Sequence, residues 1–120
     1  MEDRELLELA AKAAGMDVLP EKPWPRGDDG WFFNQVGDQP PALYSRKNLA
    51  RWSPLADDGD ALRLAVTLSL HIEWRFDGRV AVSPRDEVTD IYCMESTRED
   101  KQSATRRAIV HAAAAIGKEM

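Results

Sequence analysis

Three carboxylates within four positions, Asp57, Asp58 and Asp60, are the densest set of potential ligand atoms in this 120-residue chain. Clustered carboxylates suit a hard divalent cation. The calcium-loop pattern, however, requires a glycine at its sixth position and a glutamate at its twelfth, and counting from Asp57 or Asp58 finds neither. The same residues follow Pro54 and precede an apolar-periodic run, where side-chain oxygens and negative charge satisfy the first amides of a helix. Capping therefore accounts for the cluster without a metal, and no cofactor is expected. His71 and His111 have no partner at metal-ligand spacing, and His111 is predicted on the solvent side of its helix. The single cysteine, Cys93, excludes an internal disulfide and any zinc site built on paired cysteines; in its apolar, β-rich surroundings it reads as a packed, reduced thiol rather than a nucleophile. The chain contains no Gly-x-Ser-x-Gly elbow, phosphate-binding glycine loop or His-Glu-x-x-His motif. The expectation is a protein that is not an enzyme. A metal-dependent nuclease using Asp57, Asp58 and Asp60 is the weakest reading.

Two groups of residues point instead to binding. The acidic, proline-rich segment from Glu21 to Trp31 sets Trp24 among Glu21, Asp28 and Asp29, with Trp31 at its end. Large aromatics on loops are frequent anchors at protein interfaces. Arg98, Lys101, Arg106 and Arg107 form the best basic strip, which suits phosphate contact, although Glu99 and Asp100 interrupt it. A formal net charge of −5 repels nucleic acid overall, so protein is the favoured partner and nucleic acid the alternative. The acid is concentrated early: residues 1–40 hold nine Asp or Glu against four Lys or Arg. No apolar run approaches a membrane span, and the start, MEDRELLELAAKAAG, is acidic and amphipathic, which predicts a cytoplasmic protein.

These residues need a scaffold, and the stretch WSPLADDGDALRLAVTLSLHIEWRFDGRVAV (52–82) organises it. A helix starts at Asp57 or Asp58. Its inner side is expected to carry Asp58, Ala61, Leu62, Ala65, Val66, Leu68 and Ser69, with Leu64 a misfit at the polar edge. The period then changes to two, so that Leu70, Ile72, Trp74 and Phe76 form the buried face of a strand. A two-residue turn at Asp77-Gly78 would set Val80 and Val82 on the wrong face. A three-residue loop, Phe76-Asp77-Gly78, with Gly78 left-handed in a bulge, pairs Trp74 with Val80 and Ile72 with Val82.

Residues 2–14 read as a helix with Leu6, Leu7, Ala10, Ala13 and Ala14 inside and Gly15 ending it. Residues 16–19 begin a short strand, 20–30 form a loop, and a strand from Trp31 to Val36 pairs back with Leu43-Tyr44. Val88 to Cys93 predicts a third strand beside Arg79–Ser83, and Glu95 to Lys101 a polar connection. Residues 102–117 form a last helix whose inner face carries Ile109, Ala112, Ala113 and Ile116, its alanines permitting close approach. The result is a single domain over 1–120, of α+β class, with an antiparallel β-sheet sandwiched between α-helices.

WSPLADDGDALRLAV (52–66), the strand-turn-strand around DGRVAV (77–82) and ATRRAIVHAAAAIG (104–117) resemble small phage and prophage proteins described as phage ABA-sandwich proteins. The likeness covers the C-terminal two-thirds of the chain and leaves 16–45 aside. It implies a sheet between helical layers and a phage context, and carries over no catalytic residues. Together with the missing catalytic motifs, it leads to the expectation of a phage accessory protein in the host cytoplasm that acts by stoichiometric binding of a host protein. An antiviral defence complex such as a CRISPR effector is one such target, since an acidic surface suits the basic channels of nucleic-acid-handling complexes. A nucleic-acid-binding or regulatory phage module is the alternative.

Overall fold

Ala-rich sequence makes the last helix slim, and the rest of the molecule gathers around it. In the computed structural model, which describes residues 2–20, 23–24, 26–27, 29–84, 93–96 and 98–120, this helix is α3, Lys101–Glu119. Asp100 caps it, its carboxylate accepting from the amides of Gln102 and Ser103. The predicted face is buried at Ile109, Ala112 and Ala113, yet Ala104, Val110, Ala114 and Gly117 are buried too, because α3 is covered from two sides. One cover is α1, Asp3–Ala13, whose most extensive contact is with α3. A Cβ added to Gly117 would run into the backbone carbonyl of Leu9, so glycine here lets the two helices touch backbone to side. Within α1, Leu6, Leu7 and Ala10 are buried as expected, with Ala11 in place of Ala13 and Ala14. His111 is half-buried, its Nε2 3.8 Å from Glu95 Oε1, rather than on the solvent side.

The strands make an α+β fold, divided between two antiparallel three-stranded sheets instead of forming one sheet between helical layers. The first contains β1 (Trp31–Asn34), β2 (Ala42–Ser45) and β3 (Arg51–Trp52). Residues 16–19 contribute only a bridge, Val18 to Trp31. Strand β3 stops after two residues because the Ser53 amide is taken by the Asp60 carboxylate and Pro54 has no amide to offer. The second sheet contains β4 (Leu70–Arg75), β5 (Arg79–Pro84) and β6 (Cys93–Ser96), and covers the other side of α3. Glu95 and Ser96 thus extend a strand where a connection was expected, while 88–92 and the Cys93 side chain lie outside the description.

The bulged hairpin is present: Trp74 faces Val80, Ile72 faces Val82, Arg75 faces Arg79, and Gly78 has φ +83°. Its burial is less complete than the alternation implies. Val80 and Val82 are fully buried, whereas Phe76, the first loop residue, has left the sheet face and is wholly exposed.

Helix α2, Asp58–Thr67, is rolled relative to expectation. Asp60 is drawn inward by Ser53, and the residues on its face, Ala61, Leu64 and Ala65, follow it into the core. Leu64 is 2% exposed, while Leu62 and Val66 are 60% and 69% exposed. The helix ends at Ser69, which holds φ +54° to turn the chain into β4. An L-residue with a side chain pays a steric cost there that glycine avoids. Ser69→Gly is expected to stabilise the fold by about 0.5–1 kcal/mol, read as a higher midpoint in chemical denaturation; an unchanged or lower midpoint rejects strain at this turn.

Candidate interaction site

The acidic run before α2 is committed to the fold. Asp57 caps the helix, accepting from the Asp60 amide at 2.8 Å. Asp60 accepts from the Ser53 amide at 2.9 Å and from Arg63 at 2.6 Å. Asp58 pairs with Arg106 at 2.6 Å, and Arg106 also donates to the Leu55 carbonyl. The Ser53 hydroxyl donates to the Pro41 carbonyl, tying this brace to the first sheet. Each carboxylate that a cation would want already has a protein donor, and no group of three potential metal ligands occurs among the described residues.

The predicted basic strip is divided between neighbourhoods. Arg98 lies against Gly78 at the hairpin tip. Lys101 stands over the Trp74 ring at 5.8 Å, and Arg106 is held by Asp58. Arg107 reaches Asp3 on α1 at 3.5 Å.

Trp24 is placed differently from a side chain projecting on a free loop. Its indole N–H donates to the Pro20 carbonyl at 2.8 Å, its ring rests on Phe32 with centroids 5.0 Å apart, and Phe32 stacks on Tyr44 at 5.9 Å. Arg46 lies over the Trp24 ring, its guanidinium carbon 5.5 Å from the ring centroid. Strand register explains the assembly: Phe32 pairs with Tyr44 and Tyr44 with Arg51, so the three share one face of the first sheet, the one opposite Leu43 and Phe33. All four aromatic and basic residues of the stack, Trp24, Phe32, Tyr44 and Arg46, are half-buried, with fixed rings and partly open faces. Asp29 is exposed, whereas Trp31 is engaged in strand pairing with Ser45 and Val18. Glu21 and Asp28 lie outside the described residues.

Tyr44 and Arg46 escaped the sequence reading as site residues, and Phe32, beside Trp31 among the candidate aromatic anchors, reads from sequence as a core residue. One signal was present: residues 39–56 contain no acid but hold Arg46, Lys47 and Arg51, a local basic stretch inside an acidic protein. No helix among the described residues is long and apolar enough to cross a membrane. Compared with protein-family models, curated proteins and solved structures, the chain matches none.

Proposed function

We propose that this chain acts by stoichiometric binding of another protein, through the aromatic platform of Trp24, Phe32 and Tyr44 on the outer face of the first sheet. The observation that carries this reading is the fixed stack itself. Aromatic side chains already ordered by packing lose little further freedom on binding, and such residues dominate interface energetics. Arg46 over Trp24 and exposed Asp29, five residues on in the same segment, offer charge of both signs for a polar rim. The phage resemblance makes a host protein the partner, with an antiviral defence complex as the specific target. The commitment of Asp57, Asp58 and Asp60 to the fold is in keeping with a mode of action that needs no metal.

The test replaces Trp24 with alanine and Asp29 with lysine. Asp29 is exposed, and Trp24 is half-buried on Phe32, so the double variant is expected to lose about 1–2 kcal/mol of stability and its thermal midpoint is measured beside binding. Protection of phage in a defence-bearing host, or retention of the bound host protein, is expected to fall at least tenfold. Unchanged protection by the double variant rejects the platform as the binding surface, and no protection by the wild-type chain in any defence background counts against the inhibitor reading.

A second reading is favoured by the basic residues at the same face. Aromatics interleaved with Arg46, Lys47 and Arg51 are what single-stranded nucleic acid uses for base stacking and phosphate contact. Quenching of tryptophan fluorescence by oligothymidine at low salt, lost steeply as salt rises, supports this reading; no quenching at low salt ends it.

A further inference from the structure

The second sheet ends at β4, which pairs only with β5 among the described residues. Hairpin geometry determines which of its backbone groups face outward. The Gly78 amide donates to the Arg75 carbonyl, and Arg75 closes the hairpin opposite Arg79. The N–H and C=O of Arg75, and by alternation those of Glu73 and His71, therefore point toward β5. Those of Ile72 and Trp74 point away from it.

Natural edges are blunted by charged side chains, lysine above all, by proline, by bulges or by a covering element; β4 has Glu73 and Arg75 but no lysine or proline, and its ladder with β5 is regular from Leu70 to Arg75. Beside it runs an open groove of about 340 Å³ whose apolar walls include Leu62, Ile72, Trp74 and Ile109. Trp74 is 52% exposed, and the uncovered Leu62 and Val66 of α2 stand one turn apart above the same side. An added strand would meet both the outward amides of β4 and this apolar layer.

We infer that the added strand is β4 of a second copy of this chain, paired antiparallel about a twofold axis normal to the sheet, which joins two three-stranded sheets into one of six. Such an axis preserves the faces of the sheet, so the register must be centred on a residue. Centring on Glu73 sets that carboxylate against its own copy and His71 against Arg75. Centring on Trp74 carries the pairing into the turn at Phe76, where the strand has ended. Centring on Ile72 pairs residues 70–74 within β4 and leaves only Arg75 opposite Ser69, just before the strand begins. Ile72 then faces Ile72, Leu70 faces Trp74 on the groove side, and His71 faces Glu73 on the other. Apolar meets apolar, and an imidazole meets a carboxylate twice per dimer. This surface belongs to the second sheet and leaves the Trp24 platform uncovered, so the dimer stands or falls independently of the proposed binding function.

The test is sedimentation equilibrium of the wild-type chain and three variants at exposed positions 71 and 73. Wild-type protein is expected to dimerise in the micromolar range. His71→Glu opposes two carboxylates at both crossings and should weaken the dimer about tenfold. Adding Glu73→Lys to it restores opposite charge at both crossings and should recover the dimer. His71→Lys should tighten it, which keeps the proposal testable if His71→Glu does not fold. A wild-type chain that remains monomeric near millimolar concentration overturns the inference. So does a dimer indifferent to these charges, or one that the double variant fails to restore.

Discussion

Gly117→Val is expected to be among the most damaging single substitutions in α3, lowering stability by about 3 kcal/mol and the thermal midpoint by on the order of 10–15 °C. The physical cause is a collision with backbone, not with a side chain able to turn aside: the new Cβ would occupy the space of the Leu9 carbonyl. Relief requires α1 and α3 to separate, which uncovers Leu6, Leu7, Ala10, Ala113 and Ala114 together. Lys118→Val, one residue on at an exposed position, introduces the same side chain without the collision; it loses a little helix propensity where Gly117→Val gains some, and should change stability by less than about 1 kcal/mol. Equal effects at 117 and 118 would show that the close helix crossing does not limit this region.

Asp60→Ala is the second large effect, expected at about 2–3 kcal/mol. Asp60 is 9% exposed and serves two donors, so truncation strands the fully buried Ser53 amide and releases Arg63. Asp58→Ala removes an exposed pair with Arg106 and should cost well under half as much. The same proteins distinguish a brace from a cation site. Millimolar Mg²⁺ or Mn²⁺ is expected to leave the wild-type thermal midpoint unchanged, because the carboxylates already have donors; a clear rise would restore the metal reading.

Local signals gave good access to the parts of the fold they govern. Asp57 as a cap, the alanine-rich α3 and the three-residue loop at Phe76-Asp77-Gly78 each follow from one segment's own chemistry, and each is present. The roll of α2 does not follow that way. Leu62, Leu64 and Val66 are equally apolar, and only the pull of Ser53 on Asp60 decides that Leu64 turns inward. The division into two sheets was hidden for a related reason, since β3 is two residues long and ends at a bond formed seven residues ahead. At the candidate site, Trp24 stood out in the sequence from its composition and setting. Its stack on Phe32 and Tyr44 did not, because it depends on the β1–β2 register and on a loop folding back over a strand. Gly117 read as a helix terminus, and its closeness to Leu9 is invisible to any local pattern.

The meeting of Leu9 with Gly117 also bears on how the chain acquires its structure. The amphipathic face of α1 has its main apolar partner more than a hundred residues downstream, so during synthesis it leaves the ribosome long before α3 exists to receive it. The first sheet, the β4–β5 hairpin and the capped start of α2 can form from nearby contacts; the docking of α1 on α3 waits for closure of a loop of about a hundred residues. Folding of α1 onto the core is therefore expected to wait for α3 and to be slow. A nascent chain stalled before residue 101 should remain protease-sensitive throughout α1, and Gly117→Val should act mainly on the unfolding rate if the two helices dock last.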